Sequence, residues 1–181
     1  PAAPATGSVT ILPNLPPTIA CPPAILRYVN PGTCATTVFY PDPTYSDNCF
    51  SATLSKVSGP ASGASLTKGN HQAIWQVTQD GGPLMAQCTV NITVLDNITP
   101  TISCPATQTR PTSPGQCTAL TTYNNPTAAD NCTPAPTVMH VSGGTGTAQG
   151  ASTSSATFNK GITTVQWKAT DGVGLTKTCT F

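Results

Sequence analysis

Along much of this chain the side chains sort with a period of two, and no heptad or long amphipathic helical stretch interrupts it. Ala73, Trp75 and Val77 form one face against Ile74, Gln76 and Thr78. Val165, Trp167 and Ala169 do the same against Gln166 and Lys168. A longer run sets Cys88, Val90, Ile92 and Val94 against Thr89, Asn91 and Thr93. Successive side chains of a strand point to opposite faces, so these runs predict half-buried strands, with Trp75 and Trp167 as equivalent core residues. Turn-forming clusters recur every ten or so residues, as expected of a small antiparallel sandwich.

The pattern repeats. Cys21, Cys34 and Cys49 recur as Cys104, Cys117 and Cys132, each 83 positions later. Their neighbours recur with them: Pro17-Thr18-Ile19-Ala20-Cys21-Pro22 matches Pro100-Thr101-Ile102-Ser103-Cys104-Pro105, and Ser46-Asp47-Asn48-Cys49 matches Ala129-Asp130-Asn131-Cys132. Two homologous domains follow from that self-similarity. The fourth cysteines, Cys88 and Cys179, lie 91 apart, so the second copy carries eight extra residues. They fall between Ser142-Gly143 and Lys160-Gly161, a Gly-, Ser- and Thr-rich stretch that reads as a lengthened surface loop.

Composition narrows the function classes. Charged residues make up 7% of the 181, with a net charge of +1, whereas about 25% is usual. No field exists to steer nucleic acid or an anionic membrane, so neither is an expected partner. No apolar run approaches the roughly 20 residues that span a bilayer, and no secretion signal stands at the start. Nineteen Pro and fifteen Gly suit short strands and turns. The eight cysteines contain no C-x-x-C pair, which argues against zinc or redox use and for structural disulfides in an oxidising compartment. Four cysteines per copy allow three pairings, and spacing does not choose among them.

The segments Phe158-Asn159-Lys160-Gly161-Ile162-Thr163-Thr164-Val165, Ala169-Thr170-Asp171-Gly172 and Cys179-Thr180-Phe181, with the Cys-Pro pairs at Cys21-Pro22 and Cys104-Pro105, resemble the hyalin-repeat (HYR) domain. Gly174-Leu175 departs from the family's Gly-Asn, and the first copy is looser around Gln79-Asp80-Gly81-Gly82. The resemblance implies an all-β fold of two tandem immunoglobulin-like antiparallel β-sandwich domains, disulfide-stapled, in an extracellular adhesive protein. In such a sandwich the first strand lies beside the last. It therefore implies Cys21 with Cys88 and Cys104 with Cys179, leaving Cys34 with Cys49 and Cys117 with Cys132, all within their own repeats. The expected organisation is an N-terminal segment over 1–15, a first domain over 16–96 and a second over 97–181 that lacks the end of its last strand.

Candidate chemistry is sparse. His71 and His140 are not equivalent, no Ser sits in a G-x-S-x-G elbow, and Gly144-Thr145-Gly146 lacks the helix and Lys-Ser/Thr pair of a phosphate loop, so no catalytic residue and no cofactor is assigned. Asp96 and Asn97 lie between the domains, and Asp47, Asp80, Asp130 and Asp171 sit near strand ends. A calcium site takes six to eight oxygens, and the chain has six carboxylates in all. Turn capping is the favoured role for them, and no metal ligand is assigned. Asn91, Asn97 and Asn131 fit the N-glycan acceptor pattern, with glycans as expected modifications.

The ends of the chain complete the expectation. Ser8-Val9-Thr10-Ile11-Leu12 aligns with Asn91-Ile92-Thr93-Val94-Leu95, the closing half of a last strand, and Phe181 aligns with Val90, where that half would begin. Val9 and Ile11 are therefore a candidate donor strand, and Cys179 and Phe181 the edge of an acceptor groove in another copy. The expected function is a structural subunit of an extracellular fibre or surface appendage, pilus-like and not an enzyme, with copies of itself as partners. The alternative is a fragment of a large multi-domain adhesin or secreted protein that binds carbohydrate or protein, for which Tyr28, Phe39, Tyr40, Tyr45, Phe50 and Tyr123 are the available aromatics.

Overall fold

A computed structural model describes residue 7 and residues 13–144 and 153–181, all of them in strands, turns or irregular segments. The donor-strand residues Val9 and Ile11 lie outside the described residues. Among the described residues no helix is long and apolar enough to cross a membrane. The chain divides into two compact units, the first Pro1–Arg27 with Thr37–Thr93 and the second Tyr28–Thr36 with Val94–Phe181.

The first unit is built on a sheet whose strands run in the order β2 (Ile25–Tyr28), β8 (Met85–Leu95), β7 (Gly69–Gln79) and β5 (Ala52–Ser58). Two shorter pairs accompany it, β1 (Thr18–Ala20) with β4 (Thr44–Ser46) and β3 (Ala35–Val38) with β6 (Ala64–Thr67). Along β8 the alternation is realised, with Val90, Ile92 and Val94 buried and Asn91 outward. Val38, Ala73, Val77, Val90 and Ile92 form its interior. Tyr40 closes one side, its hydroxyl donating to the Pro60 carbonyl. Burial and the nearby Asp42 carboxylate raise the pKa of that phenol.

The second unit repeats the plan with β9 (Thr101–Ser103) on β11 (Thr127–Ala129), β10 (Thr118–Asn124) on β13 (Thr153–Asn159), and the order β12 (Thr137–Ser142), β14 (Gln166–Thr170), β15 (Thr176–Thr180). Tyr123, Ala156, Val165 and Trp167 are its core, with Phe158, Cys179 and Phe181 packed against them. Part of the extra length expected as a loop is strand instead, because β13 extends the ladder with β10 to seven pairs. Residues 145–152 of it lie outside the described residues.

The two tryptophans are not equivalent. Trp167 is fully buried, and His140 stands edge-on to it at 5.4 Å between ring centres. Trp75 is only half-buried. The β5–β7 register shifts between Lys56 and Ser58, at the rungs Lys56↔Trp75 and Ser58↔Ile74. The same shift occurs opposite Trp167, between His140 and Ser142 at the rungs His140↔Trp167 and Ser142↔Gln166, so the rings differ in what stands across the ladder, Lys56 beside Trp75 and His140 beside Trp167.

The disulfides correct the expected pairing. Cys21–Cys88 and Cys104–Cys179 join first strand to last, with Cα separations of 5.7 and 5.8 Å. The inner cysteines do not close short loops: Cys34 bridges Cys132, 98 residues away, and Cys49 and Cys117 are exposed thiols. Cys34–Cys49 and Cys117–Cys132 are thus replaced by a bridge across the repeat boundary. The reason is tertiary. The turn bearing Cys34 belongs to the second unit, as Cys132 does, while Cys49 belongs to the first.

Candidate metal centre

Three carboxylates of the second unit converge where strands end. Asp96 follows β8, Asp130 follows β11 and Asp171 follows β14. Each spends one oxygen on local backbone. Oδ1 of Asp96 accepts from the Ile98 amide at 3.2 Å. Oδ2 of Asp130 accepts from Cys132 and Thr133 at 2.9 and 2.8 Å. Oδ1 of Asp171 accepts from Val173 and Leu175 at 2.9 and 2.8 Å. These bonds are the turn capping that the sequence suggested, and they also fix where the other oxygens point.

Those other oxygens, Asp96 Oδ2, Asp130 Oδ1 and Asp171 Oδ2, are buried without a hydrogen-bond partner. Ligand oxygens of the three residues lie within 4.8 Å of one another, and Asp171 is only 7% exposed. Two carboxylates at that separation repel by about 3 kcal/mol at an effective dielectric constant of about 20, and buried unpaired oxygens add a desolvation cost. A bound cation removes both costs at once. The donors are all oxygen, which suits a hard ion such as Ca²⁺ or Mg²⁺ over zinc or copper, with carbonyls and water completing the shell. Where the sequence assigned no metal ligand, Asp96, Asp130 and Asp171 are placed so that they could hold such an ion.

The first unit provides an internal comparison. Asp47 occupies the place of Asp130, with the Cys49 and Phe50 amides on its Oδ1 at 2.9 Å each. Where the second unit has Asp171, two residues past the last core position of its strand, the first has Gln79. The buried Gln79 amide donates to both Asp47 oxygens at 3.2 Å and to Asn14 Oδ1 at 2.7 Å. Asn14 donates back to Gln79 Oε1 at 3.0 Å. One carboxylate and two amides satisfy each other, so this corner needs no ion. The backbone amides of Phe50 and Cys49, helped by Gln79, hold the Asp47 carboxyl below its usual pKa.

The remaining candidates are placed individually. Asn91 and Asn97 are exposed. Asn131 is half-buried, and its Nδ2 donates to the Thr33 carbonyl at 2.8 Å beside the Cys34–Cys132 bridge. Asp80 accepts from the Thr53 hydroxyl at 2.9 Å. His71 and His140 hydrogen-bond to the Thr67 and Gly143 carbonyls at 2.8 and 2.9 Å. Of the aromatics, Tyr40 and Tyr123 are core, whereas Tyr28, Phe39, Tyr45 and Phe50 are exposed. Two clues to the carboxylate cluster lie in the sequence: Asp96 aligns with Pro13, and four residues after the tryptophan the second copy has Asp171 where the first has Gln79. Neither says that the positions meet.

Comparison with known proteins agrees with the repeat. The chain is similar to hyalin of Lytechinus variegatus, 35% identical over 135 residues covering 70% of this chain and 25% of that protein. It is also similar to hyalin of Strongylocentrotus purpuratus, 32% identical over 127 residues covering 69% and 10%. The chain thus spans a quarter or less of the curated relatives it matches. A crystal structure of protocadherin gamma B7 extracellular cadherin domains 1-4 aligns over 92% of this chain and 48% of its own, at 14% identity and a TM-score of 0.39, too loose a likeness to argue from. The HYR domain matches twice, over residues 14–94 and 95–181, and the chain belongs to that family as two tandem immunoglobulin-like copies.

Proposed function

We propose that this chain is an extracellular structural module of the adhesion type, whose second unit is held in shape by a divalent cation of the calcium class. The carrying observation is the trio of buried, unpartnered carboxylate oxygens of Asp96, Asp130 and Asp171. Similarity to hyalins and three disulfides support the extracellular setting. A sparsely charged surface suits a scaffold that associates with its own kind rather than with nucleic acid, and Asn91 and Asn97 are its candidate glycan sites.

An ion that binds only the folded state stabilises it by about 2.7 kcal/mol at a hundred times its dissociation constant. Thermal unfolding in millimolar Ca²⁺ is therefore expected several degrees above that in chelator. Hydrogen exchange should slow at the amides of Cys132, Thr133, Val173 and Leu175. Asp171→Asn should abolish the response and, in chelator, melt above the unmodified protein, because one of three repelling charges is gone. Identical melting with and without Ca²⁺ in the unmodified protein would defeat the reading.

A second reading is assembly by strand exchange, with Val9 and Ile11 of one copy beside Cys179 and Phe181 of another. One observation favours it. In the first unit β2 lies against β8, but the equivalent residues 108–111 form no strand. A groove of about 200 Å³ is lined there by Gln108, Arg110, Tyr123, Thr163, Val165 and Phe181. Deleting residues 1–13 should then leave a protein that no longer assembles and whose assembly is restored by mixing with the intact chain. Undiminished assembly of the deleted protein alone would exclude strand exchange.

A further inference from the structure

We infer that Cys117 of one copy forms a disulfide with Cys49 of a second copy, repeating between molecules the bridge that Cys34 and Cys132 make within one. Cys117 is the repeat equivalent of Cys34, and Cys49 that of Cys132. The internal bridge thus joins the second cysteine of one repeat to the third of the next. Cys117 and Cys49 are the two halves left over from that rule, and both are exposed thiols.

Each half is already shaped for the bond. In the Cys34 turn the Asn30 amide donates to Ala35 at 2.9 Å and the Thr33 amide to Asn30 at 3.1 Å. In the Cys117 turn Ser113 donates to Thr118 at 2.8 Å and Gln116 to Ser113 at 3.0 Å. A glycine with positive φ stands two residues before each cysteine, Gly32 at 78° and Gly115 at 71°. The match extends to the other half. Cys132 is held by an aspartate two residues earlier that accepts from its amide at 2.9 Å and from that of Thr133 at 2.8 Å. Cys49 is held in the same way, by Asp47 at 2.9 Å from its own amide and 2.9 Å from that of Phe50. Backbone geometry that presents one pair of thiols to each other therefore presents the other pair too, with the partner supplied by another copy. The contact is head-to-tail, so it propagates along a row of copies.

The chemistry requires an oxidant, and a small-molecule disulfide such as glutathione disulfide serves. The Cys117 thiolate attacks one glutathione sulfur and expels the other glutathione as thiolate. The Cys49 thiolate of the second copy then attacks the Cys117 sulfur and expels the remaining glutathione. Two protein thiols are oxidised, one glutathione disulfide is reduced to two glutathiones, and the two thiol protons pass through solvent to the two expelled glutathione thiolates. The occurrence of this bond in nature rests on the extracellular setting proposed above, but the geometry does not.

The experiment separates the two. Purified Cys49→Ser and Cys117→Ser proteins are incubated with glutathione disulfide in chelator, each alone and mixed, and products are resolved without reductant and mapped by mass spectrometry. Chelator removes any dependence on the cation. The mixture is expected to give a heterodimer linked Cys117–Cys49 at least roughly tenfold faster than either variant dimerises alone, because docking raises the effective concentration of the matched thiols. The unmodified chain is expected to give a ladder of covalent oligomers through the same link. Glutathione adducts without dimers, dimers forming equally fast in the separate variants, or a bridge of Cys49 or Cys117 within one chain would each overturn the inference.

Discussion

Replacing Trp167 with alanine is expected to destabilise the second unit by about 3–5 kcal/mol, the range for truncating a fully buried large aromatic. The ring is completely enclosed. It sits on the middle strand of β12-β14-β15, opposite His140 on one side and Cys179 on the other. No neighbouring element can close over the void without giving up strand pairing or the Cys104–Cys179 bridge. An 80-residue domain has only about 5–15 kcal/mol of stability to lose, so the second unit should be largely unfolded at moderate temperature. Trp75→Ala is expected to cost distinctly less, because that ring is half-buried. Urea unfolding of both variants, followed by far-ultraviolet circular dichroism, provides the check. Equal costs would mean that the two rings are equally enclosed.

Removing the bridge between repeats should have an effect of similar size. The double substitution Cys34→Ser with Cys132→Ser is preferable to either alone, since a single change leaves a thiol free to exchange. Cys34 and Cys132 are 98 residues apart. The Cys21–Cys88 bridge shortens the path that the denatured chain must close, and the chain-entropy relation then gives about 4 kcal/mol. The loss should fall on the second unit, which holds both cysteines, and the turn presenting Cys34 should gain hydrogen exchange. Non-reducing peptide mapping of the unmodified protein must also find the Cys34–Cys132 peptide pair. A loss below about 1 kcal/mol, or Cys34 paired with Cys49, would reject the bridge.

The metal centre shows how one residue can satisfy two readings. Asp130 and Asp171 were legible as turn-capping aspartates, and each does cap a turn with one oxygen. Capping in turn fixes the carboxylate, and the second oxygen is then aimed wherever the fold directs it. Gln79 is the last residue of its strand and Asp171 the first after the equivalent one, yet one supplies an amide donor and the other a negative charge. With Pro13 in place of Asp96 and Gln79 in place of Asp171, the two corners part, the first self-satisfied and the second left with three unpartnered carboxylate oxygens.

The sequence alone determined what depends on local periodicity and on self-similarity. Alternation along residues 88–94 and around Trp167 specified strands and their buried faces, since a strand side chain reports its face through its parity. The shift of 83 residues specified two copies, and the family resemblance, not the spacing, implied the outer disulfides. The tertiary structure decided everything that joins residues distant along the chain. It left Trp75 half-buried across from Lys56 and enclosed Trp167 across from His140, assigned the Cys34 turn to the second unit and so paired it with Cys132, and brought Asp96, Asp130 and Asp171 together from three different strand ends. Periodicity fixes the direction in which a side chain points. It carries no information about what stands opposite, and a disulfide or a cation site is made only by what stands opposite.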